Sequence, residues 1–283
     1  METPPIRPGL TAKCMTDNKT VKKNIKLARR YQRVEWGVAK YPPCAVVAGG
    51  PSTKANLETL RNWPGDIFAI NDTAKFLSDN GIPCYIFAID STEVLFKIGP
   101  LVKGAFFATR VDREQFKQFK RADVRTFHLL EDVGNNQGDV EGGPTAVCRT
   151  PSLLLRIGYQ GIYYFGCDGS FYDVSHVFGK SEAALLNMMV VRAGDVEYLT
   201  NAAFVLQSKY LIEVFQKHPQ FLINASGGLL KAMIDYPNTW EVVAIREDLR
   251  EQYRVQGDTN WSVEYDMREH NIWRPEVAYA GAG

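Results

Sequence analysis

Gly49-Gly50-Pro51-Ser52 follows an apolar run over 44–48 and precedes a helical pattern. Glycines at such a place let the backbone approach a phosphate, and the next helix offers unbonded N–H groups at its positive end. The turn is neither GxGxxG nor GxxxxGK[ST], which counts against dinucleotide oxidoreductases and P-loop NTPases. A tight turn that needs glycine only for its dihedrals would read the same way. Three more apolar runs end in polar residues, at Asn71-Asp72, at Asp90-Ser91-Thr92 and at Cys167-Asp168-Gly169-Ser170. Each could be a helix cap. Recurrence at the ends of four runs favours a binding edge over four unrelated caps. Group transfer at that edge needs a residue to take a proton. His176, four residues after Tyr172, suits the task, with an unperturbed pKa of roughly 6.5. His128, His218 and His270 read as structural.

Short apolar runs alternating with helical patterns supply the scaffold, as βαβ units and a parallel sheet. Strands are predicted over 44–48, 66–70, 85–89, 105–109, 124–129 and 161–166. Helices are predicted over 53–63, 72–80, 111–121 and 145–157, with Pro144 in the first turn of the last. Over 168–199 the pattern loosens, as in a lid or binding loop, with a short helix over 182–191. A helix over 200–217, a strand over 221–224 and a turn at Gly227-Gly228 follow. The expected fold class is α/β: a Rossmann-like parallel sheet with helices on both faces, a basic helical N-terminal arm and a C-terminal wrapping tail. The expected boundaries are 1–41 for the arm, 42–238 for a nucleotide-binding transferase domain and 239–283 for the tail. In open α/β sheets, ligands sit beyond the carboxyl ends of the strands where strand order reverses.

Composition narrows the class. With 283 residues, 45% apolar and 23% charged, the chain can bury a sizeable core. No apolar run is long enough for a membrane span, and the N-terminus shows no signal-peptide core. Cysteines at 14, 44, 84, 148 and 167 form no CxxC pair, which argues against a disulfide framework and a thiolate zinc site. A reducing, cytoplasmic location is expected. Residues 11–40 carry nine basic side chains (Lys13, Lys19, Lys22, Lys23, Lys26, Arg29, Arg30, Arg33, Lys40) against Asp17 and Glu35, a net charge of +7 in a chain of +1. The plain expectation is a solvated helix packed by a stripe of Val21, Ile25, Ala28 and Gln32. The sharper one is an arm that contacts a polyanion.

Several segments together resemble the MptE-like Rossmann family. They are Val46-Val47-Ala48-Gly49-Gly50-Pro51-Ser52, Ala69-Ile70-Asn71, NGIPCYIFAIDS, GGPTAVCRTPSLLLRIGYQGIYYFGCDGSFY and FLINASGGLLKA. That family includes archaeal hydroxymethylpterin pyrophosphokinases and bacterial proteins implicated in sugar transfer to flagellin. The same segments are similar to bacterial sialyltransferases that use a CMP-linked sugar. The resemblance spans about 42–235 and leaves out arm and tail. It implies that Gly49, Gly50, Pro51 and Ser52 surround the donor phosphate and ribose, and that Asn71 and the loop Gly143, Pro144, Thr145 hold the nucleotide. It places Asp168 and Tyr172 in the segment that closes over the donor sugar. Two departures stand out. Gly49 replaces an asparagine of the sialyltransferases, and Ile89-Asp90-Ser91-Thr92 lacks the second acidic residue that would suit Mg²⁺ on a triphosphate.

The leading expectation is therefore a nucleotide-sugar-dependent glycosyltransferase, a CMP-linked donor being the case the sialyltransferase resemblance offers. His176, Asp168 and Tyr172 are its catalytic candidates. Its nucleotide-binding candidates are Gly49, Gly50, Pro51, Ser52, Asn71, Asp72, Asp90, Ser91, Gly143, Pro144 and Thr145. No tightly bound cofactor and no metal ligand are expected; the nucleotide-linked donor is a substrate, and Mg²⁺ stays open as its companion. A glycan, a protein or a modified nucleic acid could be the acceptor. The alternatives are an MptE-like pyrophosphokinase using ATP and Mg²⁺, and a nucleotide- or nucleic-acid-binding protein without catalysis.

Overall fold

A computed structural model describes residues 13–14, 16–37, 39–91, 95–133, 140–171, 188–237, 239–245 and 261–262. The first strand, β1 (Lys13–Cys14), is followed by helix α1 (Asn18–Ala28) and strand β2 (Gln32–Arg33). Asp17 caps α1, its carboxylate accepting from the Lys19 and Thr20 amides at 2.8 and 2.9 Å. Val21, Ile25 and Ala28 are buried as the stripe predicts, with Asn24 beside them, while Gln32 is exposed. Asn24 donates through Nδ2 to the Arg110 carbonyl at 3.0 Å, which satisfies the one amide on the buried face.

The βαβ units come next. They are β3 (Cys44–Val47), α2 (Ser52–Ala55), α3 (Leu57–Arg61), β4 (Ile67–Ile70), α4 (Thr73–Asp79), β5 (Cys84–Ala88), β6 (Val102–Ala108), α5 (Arg113–Lys117), β7 (Val124–Phe127), α6 (Leu130–Val133), α7 (Ala146–Ile157) and β8 (Ile162–Phe165). After them run β9 (Met188–Ala193), β10 (Val196–Asn201), α8 (Ala202–Lys217), β11 (Leu222–Asn224), α9 (Gly228–Asp235), β12 (Trp240–Ile245) and β13 (Trp261–Ser262).

Eight strands form one parallel sheet in the order β11-β8-β3-β4-β5-β6-β7-β2. The fold is a Rossmann-like α/β architecture, as the alternating pattern predicts. Strands covered on both faces must be apolar throughout. Accordingly, all four residues of β3 and all four of β4 are buried. The chain lays down β3 to β7 in one direction, then returns across the sheet to add β8 and β11 on the far side of β3. Strand order reverses between β3 and β8.

Three local expectations are corrected. The helix read over 182–191 is contradicted at its described end: Met188–Ala193 is a strand, paired antiparallel to both Val196–Asn201 and Trp240–Ile245. Gly194, at φ +60°, makes the tight connection between β9 and β10 that a helix would not have. The helix read over 53–63 is broken at Asn56 into α2 and α3. Pro144 lies outside α7, whose cap position is Thr145, and Pro151 instead sits within the helix. Tyr172 and His176 lie outside the described residues. Among the described residues no helix is long and apolar enough to cross a membrane.

Candidate functional site

The four strands whose ends drew attention in the sequence, β8, β3, β4 and β5, are neighbours in the sheet. Their carboxyl ends carry Asp168, the Gly49–Ser52 turn, Asn71-Asp72 and Asp90-Ser91 along one continuous edge. The reversal of strand order falls within it.

At the reversal, Asp168 is 1% exposed and its carboxylate ties three loops together. Oδ2 accepts from the Ser52 amide at 2.7 Å, and Oδ1 accepts from the Ser52 hydroxyl at 2.5 Å and the Gly227 amide at 3.1 Å. The Gly227 amide also reaches the Ser52 hydroxyl at 3.2 Å, and the Leu230 amide donates to the Asp168 carbonyl at 2.9 Å. Burial pushes the Asp168 carboxyl above its ordinary value, while the Ser52 and Gly227 donors pull it back. Pro51 occupies the cap position of α2 without a side-chain bond. The anion at the start of that helix is Asp168, supplied from the end of β8. The Gly227-Gly228 turn is part of the same knot.

The glycines of the turn have internal reasons for being glycine. The Gly50 amide donates to the Gly166 carbonyl at 2.8 Å. A Cβ on Gly50 would lie 2.4 Å from that carbonyl oxygen and 2.7 Å from the Asp168 carboxyl carbon. The Thr53 amide returns to the Gly50 carbonyl at 3.0 Å and its hydroxyl to the Ala48 carbonyl at 2.8 Å. The amides of Gly50, Ser52 and Thr53 are thus engaged within the protein. Gly49, Gly50, Pro51 and Ser52 stay partly exposed.

One strand further on, Asn71 is a non-glycine residue at positive φ (51°). Its Nδ2 donates to Asp90 Oδ2 at 2.9 Å, while its Oδ1 is buried without a hydrogen-bond partner. Unusual backbone and an unmet acceptor at a strand end are features that collect at binding sites. Burial raises the Asp90 carboxyl, opposed by the Asn71 amide and the Arg110 charge. Burial raises Asp72 too, opposed by Lys97. Ser91 is buried, with its hydroxyl donating to Thr16 at 2.9 Å. The second loop, Gly143-Pro144-Thr145, is partly exposed; the Thr145 hydroxyl donates to Gln207 Oε1 at 2.7 Å, and Gly143 packs against Tyr210 and Cys148.

Four charged residues that sequence reasoning passed over lie at the ends of β6 and β7 and on α7. Arg149 makes a two-pronged bond to Glu131, at 2.9 and 3.2 Å. Arg110 reaches Asp132 at 3.4 Å and Glu131 at 3.8 Å. Asp132 is 4% exposed in its side chain and its Oδ2 has no partner. Their signal was available: like Asp72 and Asp90, Arg110 and Asp132 stand just beyond apolar strands.

Burial pushes Asp132 up to about 6 from 3.8, with Arg110 and Arg149 opposing and Glu131 adding. The folded state therefore holds this proton more tightly than the unfolded chain does. Its stabilising contribution is complete below the unfolded value and is lost as pH rises through the folded one. Asp132→Asn keeps a neutral group at every pH. We expect it to stabilise the protein at pH 7.5 by about 1–3 kcal/mol and to change little near pH 4. Melting temperatures of both proteins at the two pH values check this; a variant that is less stable at pH 7.5 would refute it.

The fold and its edge define an α/β protein of Rossmann-like architecture with polar residues gathered where strand order reverses. No family model and no curated protein matches the chain. Among solved structures it is similar to the MAf glycosyltransferase from Magnetospirillum magneticum AMB-1, with a TM-score of 0.52 and 14% identity, over 86% of this chain. The match takes in 46% of that protein, so the chain spans less than half of its length. At this identity the likeness is one of fold. It shows that the chain shares a glycosyltransferase-like fold, and nothing in the comparisons bears on the MptE-like part of the resemblance.

Proposed function

We propose that the chain is a nucleotide-sugar-dependent glycosyltransferase that binds its donor across the carboxyl ends of β8, β3, β4 and β5. One observation carries this reading: the polar strand ends are contiguous and frame the reversal of strand order, in a fold that a glycosyltransferase shares. Strands about 4.8 Å apart put the outer two of these four about 14 Å from each other, room for a nucleotide with its sugar laid across them. The partly exposed Asn71, Asp72, Asp90 and Thr145 are the proposed nucleotide contacts. Asp168 is saturated by its own loops, so its part in the reading is to position the Ser52 turn. Tyr172 closes over the sugar and His176 takes the acceptor proton.

The test is a melting-temperature panel with CMP, UDP, GDP and ATP, each with and without Mg²⁺, since a ligand that binds only the native state raises the midpoint. A CMP-linked donor predicts stabilisation by CMP that needs no metal. At a free concentration of 100 times Kd the gain is about 2.7 kcal/mol. Stabilisation by ATP with Mg²⁺ alone would replace the proposal with pyrophosphate transfer. A flat panel would leave a nucleotide-independent protein.

A further inference from the structure

Helix α1 crosses the carboxyl side of the sheet, next to the edge proposed for the donor. Just ahead of the helix, Thr16 accepts from the hydroxyl of Ser91, the neighbour of Asp90 past β5, at 2.9 Å. Within it, Asn24 reaches the Arg110 carbonyl just past β6, and after it the chain pairs as β2 with β7. The face that makes these contacts holds Val21, Asn24, Ile25 and Ala28, all buried. The opposite face is basic. Lys19, Lys22, Lys23 and Lys26 are exposed, as are Arg29 and Arg30 in the turn that closes the helix. The segment 18–30 contains no acidic residue. Such a face weakens its own helix, because lysines three and four residues apart repel and Lys19 in the first turn opposes the helix dipole. Other helices of the protein pair such charges: Arg61 with Glu58, Lys75 with Asp79, Lys117 with Glu114 and Lys231 with Asp235. None of Lys22, Lys23, Lys26, Arg29 and Arg30 enters an ion pair with a described residue. Local conflicts of this kind collect at functional surfaces.

We propose that the outer face of α1 docks duplex DNA through its phosphates. At roughly 100° per residue, Lys22 and Arg29 stand on one flank of that face and Lys23 on the other, with Lys19 and Lys26 between them. A helix about 10–12 Å across that carries charge on both flanks fits a major groove about 12 Å wide with a phosphate wall on each side. The major groove of duplex RNA is too narrow for it. Single strands are held by stacking on aromatic side chains, and 18–30 has none. A membrane-surface helix buries its apolar face in lipid, whereas this one packs that face against the protein. A duplex held on α1 runs past Ser91 and Asp90 at the near end of the donor edge. That it supplies the acceptor rests on the transferase reading; the docking does not.

The test is fluorescence anisotropy of a labelled DNA duplex of about 20 base pairs with the full chain, without donor, between about 50 and 200 mM sodium chloride. Contacts from the five unpaired side chains predict a log–log salt slope of about −4 to −5. Lys22→Gln with Lys26→Gln and Arg29→Gln changes exposed positions to a residue that suits a helix. It should weaken binding about tenfold or more at low salt and make the slope shallower by about 2–3. Arg61→Gln with Arg192→Gln and Lys231→Gln removes the same charge from exposed residues elsewhere, and should change affinity less than about twofold. In the parent protein, amide NMR shifts on adding the duplex should centre on 18–30, a readout that needs no variant. No binding at low salt, a flat salt dependence or equal weakening by the two triple variants would overturn the proposal. So would tighter binding to a single strand, to duplex RNA or to phosphatidylserine vesicles. Stabilisation by CMP should survive in the α1 variant, so docking and donor binding can fail separately.

Discussion

Asp168→Ala is expected to lower stability by about 3 kcal/mol or more, a fall in melting temperature of roughly 6–12 °C for a chain of this size. The substitution removes the acceptor of the Ser52 amide, the Ser52 hydroxyl and the Gly227 amide at once. Donors left buried without partners cost far more than the same bonds contribute when intact. The Ser52 hydroxyl and Gly227 amide can still meet each other at 3.2 Å, so the Ser52 amide bears most of the loss. Asp168→Asn should recover part of it, because its carbonyl can accept from that amide while its NH₂ donates to the Ser52 oxygen. Thermal and urea unfolding of the three proteins measure the order parent, Asn, Ala. An alanine variant as stable as the parent would show that the carboxylate does not hold these loops.

Gly50→Val should destabilise by about 3 kcal/mol, at the upper end for overpacking, because the atoms it would meet cannot retreat. The Gly166 carbonyl is part of the backbone that bonds the Gly50 amide, and the Asp168 carboxyl is held by three donors. Gly50→Ala carries the offending Cβ alone and should show the same sign at smaller size. Gly161→Ala is the contrast: its nearest neighbour is the Phe221 carbonyl oxygen at 3.4 Å, an ordinary contact. A folded Gly50→Val protein of unchanged stability would return this glycine to the role first expected of it, close approach to a ligand.

That contrast marks where the sequence is legible. The parallel sheet and its polar strand ends follow from apolar runs such as Ile162–Phe165 and from Asn71, Asp90 and Asp168 just past them. The ownership of the donors does not follow. Ser52 and Asp168 are 116 residues apart, and nothing local in either segment says that one caps the other. The strand-end positions of Arg110 and Asp132 are legible in the same way, but their pairing with Glu131 and Arg149 is not, because each charge read singly is a solvated one. The β9–β10 hairpin was the more readable miss. Gly194-Asp195 between Met188–Ala193 and Val196–Asn201 is a two-residue turn signal, and it outweighs the helical spacing seen over 182–191.

The outermost strands of the large sheet are short, two residues in β2 and three in β11, while the strands between them have four to seven. An uncovered strand is a template on which another chain can assemble, and brief end strands are one of the ways proteins guard against it. β2 is the last rung on one side, and it shields β7 through Gln32 and Arg33. A protein shortened to begin after residue 40 would lose that rung. It would then present the open amides and carbonyls of Val124–Phe127, in which Val124 and Phe127 are apolar and Arg125 and Thr126 polar, and would be prone to self-association. The basic segment therefore also acts as a guard on the sheet, keeping neighbouring molecules from adding to it.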